Sequence, residues 1–181
     1  MKYSPRYKND DGNGSSQGLT RKLSDENQVF DTLEPVARGL GLVILELSLF
    51  KSKGKGKASQ GSVQIRVTVY KDGNIGIDDC STFHKAILPR LELAFPQKDI
   101  FLEVLSPGIG RLIKDASEFV HFIGRGIKCY TGHSNLTKSH NTDSGWISGI
   151  LRATDETGIS LETVNGIIAI TFEEIAKARL E

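Results

Sequence analysis

At Gly124 the hydrophobic periodicity of the chain changes. Before it, apolar residues recur twice at helical spacing, at Val29, Leu33, Val36, Ala37 and Leu40 and again at Cys80, Phe83, Ile87, Leu88 and Leu91, with strand-like runs between and after them. From Arg125 onward that spacing vanishes. Short runs at 126–131, 145–153, 158–164 and 166–171 are separated instead by Gly, Asn and Asp turns. A helix buries one stripe and a strand buries alternate residues, so the two halves must build different layers. The pattern predicts an α+β protein: an N-terminal two-layer domain over 25–124, in the order α-β-β-α-β, followed by a small β-barrel over 125–181.

Ser24, Asp25 and Glu26 suit a helix start, with acids at the positive end of the dipole, and Gly41 suits its end. Residues 42–50 are nearly all apolar, as in a strand covered on both faces, whereas 62–70 alternate strictly, Val63, Ile65, Val67 and Val69 against Gln64, Arg66, Thr68 and Tyr70. Asp78 and Asp79 open a second helix. Pro89 is expected to kink it or stop it near Leu88, because the ring removes a donor and crowds the preceding turn. Residues 116–122 read as a short helix, 172–176 as one helical turn and 177–180 as a last strand. Residues 1–24, with Lys2, Arg6, Lys8, Arg21 and Lys22 against Asp10 and Asp11 and little to bury, read as a disordered basic tail.

The net charge of +1 argues against a uniformly basic surface that coats nucleic acid, so any electrostatic site must be local. The amino terminus lacks a signal-peptide core and no apolar run approaches a membrane span, which makes the cytoplasm the expected location. Cys80 and Cys129 stand far apart and outside any C-x-x-C pair, as reduced thiols do, and the sequons at Asn13 and Asn135 are then chance matches. No cofactor or metal is expected. His84, His121, His133 and His140 have no spacing that presets a zinc site. Cys80 and His84 are four apart beside two acids, but Cys80 falls on the apolar stripe, where a thiol is a small hydrophobe rather than a nucleophile. Gly108-Ile109-Gly110 lacks the third glycine and the following helix of a dinucleotide fingerprint.

Two features remain as candidate RNA contacts. The strand Phe101–Leu105 ends in Ser106-Pro107-Gly108-Ile109-Gly110-Arg111, in which Pro107 biases Ser106 to an extended backbone and the glycines admit positive φ and close approach. Arg111 and Lys114 flank that turn. The other feature is Lys51-Ser52-Lys53-Gly54-Lys55-Gly56-Lys57, four lysines in seven residues on a backbone that cannot pack. Lys51, Lys53, Lys55 and Lys57 suit phosphate neutralisation without sequence reading, and they equally suit a merely solvated loop. Trp146, after a glycine at a strand start, reads as an aromatic plug in the barrel end.

Leu33-Glu34-Pro35-Val36-Ala37, Gly39-Leu40-Gly41-Leu42, Ile77-Asp78-Asp79-Cys80-Ser81, Leu102-Glu103-Val104-Leu105-Ser106-Pro107-Gly108, Phe119-Val120-His121-Phe122-Ile123-Gly124-Arg125 and Phe172–Leu180 together resemble, in order and spacing, the bacterial ribosome maturation factor RimP family. The resemblance implies an Sm-like or SH3-like fold for the barrel. It also implies a non-enzymatic, monomeric assembly factor that binds the immature small (30S) ribosomal subunit through ribosomal RNA and a ribosomal protein. The family usually has Ser-Ser-Pro-Gly-Leu-Asp-Arg-Pro-Leu where this chain has Leu105 to Ile113, so Gly110 and Leu112 replace an acid and a proline. On this reading Ser106, Pro107, Gly108 and Arg111 form a rigid junction that presents a charged edge to RNA. The alternative is a free-standing Sm-like RNA chaperone or translational regulator; a catalytic Cys80 or Asp pair is more distant.

Overall fold

The structure, a computed structural model, describes residues 16–52, 61–73, 75–108, 110–131 and 145–181, with side chains of the first helix described from Asp25 onward. These residues fall into two compact units, one ending at Pro107 and the other beginning at Gly108. The division therefore precedes the cut expected at Gly124, because residues 112–122 join the second unit through a short strand and a turn of helix.

In the first unit, helix α1 (Ser16–Gly39) is followed by β1 (Val43–Ser52), β2 (Ser62–Tyr70), α2 (Ile77–Ala94) and β3 (Asp99–Leu105). The helix begins at Ser16, inside the segment expected to be a tail; residues 1–15 of that tail lie outside the described residues. Its end is set by Gly41, whose φ of +69° is costly for a side chain bearing Cβ. The turn lets Leu42 N–H donate to the Ala37 carbonyl at 2.8 Å and Gly41 N–H to Arg38 at 3.0 Å, a Schellman cap in which buried Leu42 and Ala37 lie at the two ends of the longer bond.

β2 is the centre of a three-stranded sheet, antiparallel to β1 and parallel to β3. Its Val63, Ile65, Val67 and Val69 are buried with Val29 and Leu33 of α1 and Phe83, Ile87 and Leu91 of α2. This is the unit's core. β1 is an edge strand rather than one covered on both faces: Phe50 is exposed, and it lies in register with Gln64 and then Phe101, which is exposed too. One edge N–H, that of Leu49, is taken by the Glu26 carboxylate of α1 at 3.0 Å.

α2 does not stop at Leu88. It continues through Pro89 to Ala94, because the anchors Phe83, Ile87 and Leu91 lie on both sides of the proline while Pro89 itself faces solvent. The Ala86 carbonyl also accepts from Arg90 Nη1 at 2.6 Å. Burial of that stripe outweighs the lost donor.

The second unit contains β4 (Leu112–Ile113), a 3₁₀ helix (Ala116–Phe122), β5 (Gly126–Tyr130), β6 (Trp146–Thr154), β7 (Gly158–Thr163), β8 (Gly166–Thr171) and β9 (Lys177–Leu180). They form one antiparallel sheet in the order β4-β9-β5-β6-β7-β8. Among the described residues no ladder joins β8 back to β4, so the sheet is open where a closed barrel was expected. Residues 172–176 make a turn, with Glu174 N–H donating to the Thr171 carbonyl at 3.1 Å. Ile113, Phe119, Phe122, Ile127, Cys129, Leu151, Leu161 and Ala178 are buried, one face of the sheet supplying the core.

Candidate nucleic-acid interface

The turn after Gly108 is fixed by backbone bonds. Arg111 N–H donates to the Gly108 carbonyl at 3.1 Å, Gly110 N–H to Leu180 at 3.1 Å, and Leu180 N–H returns to Arg111 at 3.0 Å. Gly110 has φ +78°. Aspartate is among the few side chains that tolerate this region, so the family's usual acid and the glycine found here suit the same turn. Ser106 and Gly108 are exposed and Pro107 is half-buried, whereas Ile109 lies outside the described residues.

Arg111 is not on an exposed edge. Its Nη2 meets Glu118 Oε2 at 2.7 Å, with the two side chains only 10% and 8% exposed, and Glu118 Oε1 accepts the Lys114 N–H at 3.2 Å. The expected RNA contact is spent inside the fold, closing the segment from Arg111 to the 3₁₀ helix. The start of that helix is capped by Asp115, whose Oδ1 accepts from Ser117 N–H at 2.9 Å and Ser117 Oγ at 2.7 Å. Of the two cations flanking the turn, Lys114 is the exposed one.

The lysine segment is described only at its start; Lys53, Lys55 and Lys57 lie outside the described residues. Lys51 Nζ meets Asp25 Oδ2 at 2.6 Å and stands 5.2 Å from the centre of the Phe95 ring, beside a cleft of about 200 Å³ between α1 and α2. A carboxylate already shares its charge.

The thiols are poorly placed for chemistry. Burial, and then the Asp79 charge, push the Cys80 thiol up, and burial pushes Cys129 up to about 12, so neither is readily a thiolate near neutrality. Asp79 is held below the usual carboxylate range by the Gly76 N–H it accepts at 3.0 Å, and by Lys71, whose Nζ lies 2.9 Å away. It closes the start of α2. Among the described residues no three His, Cys, Asp or Glu side chains stand together as metal ligands. His133 and His140 lie outside them. No described helix is long and apolar enough to cross a membrane.

A cluster not foreseen from the sequence lies on β5, β6 and β9. Ile127, Cys129, Ile147 and Ala178 point inward, so the period of two sends Lys128, Tyr130, Trp146, Lys177 and Arg179 outward. The Arg179 guanidinium stands 4.9 Å above the Trp146 ring, Lys128 Nζ 5.9 Å from it, and the Tyr130 ring 5.2 Å from it. Trp146 is half-exposed on the outer face of a sheet rather than plugging a barrel end. The alternation of Lys128 with Cys129 and of Arg179 with Ala178 was a legible signal; the register that brings them to Trp146 was not.

Residues 32–110 match the RimP N-terminal domain family model. Over 159 residues, 88% of this chain and 98% of the relative, the chain is 31% identical to the "Ribosome maturation factor RimP" of Borrelia recurrentis, and with the same coverage 30% identical to that of Borrelia turicatae. The alignment takes in nearly the whole length of each relative, and the family model covers the first unit through the Pro-Gly turn, so this chain belongs to the ribosome maturation factor RimP family.

Proposed function

We propose that this ribosome maturation factor is a non-enzymatic cytoplasmic protein that binds the immature small subunit through ribosomal RNA and a ribosomal protein. The observation that carries the reading is the extent of the relationship: relatives with that printed name match nearly end to end. The two units fit a division of labour between an α/β domain and an Sm-like sheet. A one-sided core and the register shift between Leu151 and Ala153 in the β6–β7 ladder favour the curl such a sheet needs. On this reading Ser106, Pro107 and Gly108 on the segment linking the units, and separately Lys114 in the second unit, are RNA contacts. Arg111 acts by holding the Pro-Gly turn, and the lysine segment beginning at Lys51 adds nonspecific attraction to phosphates.

Pelleting the purified chain with free small subunits, free large subunits and intact ribosomes at about 50 and 200 mM salt tests this. Selective binding to small subunits is expected. If about four lysine–phosphate contacts dominate, affinity falls roughly 100-fold over that range. Equal binding to all three particles, or to none, overturns the proposal, and a ring oligomer in solution would point instead to a free-standing Sm-like RNA chaperone.

A further inference from the structure

We propose that the outer face of the second sheet, where Lys128, Tyr130, Trp146, Lys177 and Arg179 meet, binds unpaired RNA by stacking a base on the Trp146–Arg179 surface and holding the adjoining phosphates with the lysines. The proposal deepens the ribosome-assembly reading and rests on it for the source of the RNA. The chemistry of the site is argued from the face itself.

Register builds the cluster. Tyr130 is paired with Trp146 on one side and Lys177 on the other, and Lys128 with Ser148 and Arg179, so five side chains from three neighbouring strands share one small area. Elsewhere on described strands and their margins the cations meet carboxylates: Arg152 with Glu162, Arg66 with Glu103 and Lys71 with Asp79. Here Lys128 and Arg179 are held by an indole instead. The acid at the rim, Glu181, accepts from Ser148 Oγ at 3.1 Å. Among the described residues, three cations against that acid leave a local positive excess on a chain whose total is only +1.

An acidic peptide would satisfy the cations and leave the rings unused. Unpaired nucleotides bring both complements at once, a π face for the indole and guanidinium and an anionic backbone for the lysines. Duplex RNA keeps its bases stacked on one another and offers only the second.

Trp146 is the chain's one tryptophan, so its fluorescence reports on this face. Titrating the full chain with a mixed-sequence, unstructured 12-nucleotide RNA should quench that fluorescence, while a duplex of the same length and inorganic polyphosphate quench it weakly or not at all. Raising salt from about 50 to 200 mM should weaken the quenching complex about twentyfold if three phosphate contacts are made. By anisotropy of a labelled copy of the same RNA, Trp146→Ala and Arg179→Ala should each bind at least about fivefold more weakly. Circular dichroism of both variants must match the parent.

RNA binding without quenching, or equal affinity in folded Trp146→Ala and Arg179→Ala, overturns the proposal; equal quenching by polyphosphate reduces the face to an anion site and overturns it too. The ribosome reading is judged separately. If the parent pellets with small subunits although RNA leaves Trp146 fluorescence unchanged, this inference fails and that reading stands. If the parent ignores small subunits yet is quenched by unpaired RNA, the reverse holds.

Discussion

Arg111 and Arg179 lie close together in the second sheet, since Arg179 on β9 is paired with Leu112, the residue after Arg111. Their surroundings are opposite. Arg111 turns inward to a carboxylate, with about a tenth of either side chain exposed, whereas Arg179 turns outward onto an indole. A buried guanidinium has given up its hydration to partners inside the fold and cannot be offered to a ligand without breaking it. An outward one over an aromatic ring keeps its edges for other acceptors. The same residue type is structural in one case and available in the other, and the side to which each turns separates them.

The largest expected effect tests the buried side of this contrast. Arg111→Ala leaves the Glu118 carboxylate buried without its cation and should cost about 3–5 kcal/mol, readable as a lower midpoint in urea unfolding, and Glu118→Ala should cost a similar amount. The double change Arg111→Met with Glu118→Leu should recover much of it, because two apolar groups avoid the desolvation that a lone charge suffers. If Arg111→Ala kept its unfolding midpoint yet lost small-subunit binding, the contrast would break, since Arg111 would then be a contact and not a support.

The turn that delivers Arg111 should show an intermediate effect. Gly110→Ala places a Cβ in the left-handed region and should cost about 1–2 kcal/mol in the same assay, while Gly110→Asp should cost clearly less. Equal losses would mean that the chain has a turn the family's acidic residue cannot adopt. Arg179→Ala should be milder for stability, about 0.5–1 kcal/mol for an exposed cation–π contact, although it removes a binding group. A loss as large as that of Arg111→Ala would place Arg179 in the fold's support and erase the difference between the two arginines.

Much of this molecule was legible without coordinates where period and burial agreed. The alternation over residues 62–70 is the alternation of β2, and Gly41 ends α1 through its backbone. Pro89 misled because proline's local cost was weighed without the stripe of Phe83, Ile87 and Leu91 that holds both sides of it. β4 has two residues and no pattern of its own; only its pairing with β9 makes it a strand. For the same reason the charges at the Pro-Gly turn could be counted but not oriented. The partner that turns Arg111 inward, Glu118, is seven positions away across a turn, and the ring that receives Arg179 is on another strand.

The smallest effect concerns a carboxylate unlike Glu118. Asp79, half-buried at the start of α2, has its pKa lowered by the Gly76 N–H and by Lys71. A carboxylate whose pKa is lower folded than unfolded binds fewer protons in the native state, so its contribution is complete above the unfolded value of about 4 and disappears as pH falls through the lower folded one. Asp79→Asn keeps an acceptor for Gly76 and loses the charge. Its unfolding midpoint should therefore lie slightly below the parent's at pH 7, and the gap should narrow as pH falls below about 4. Salt at pH 7 should also narrow the gap, since the Lys71 partner is partly exposed to solvent. A gap that persists unchanged at pH 2.5 would mean that Asp79 acts through packing, as Glu118 does through burial, and that exposure alone does not separate the two kinds of charge in this fold.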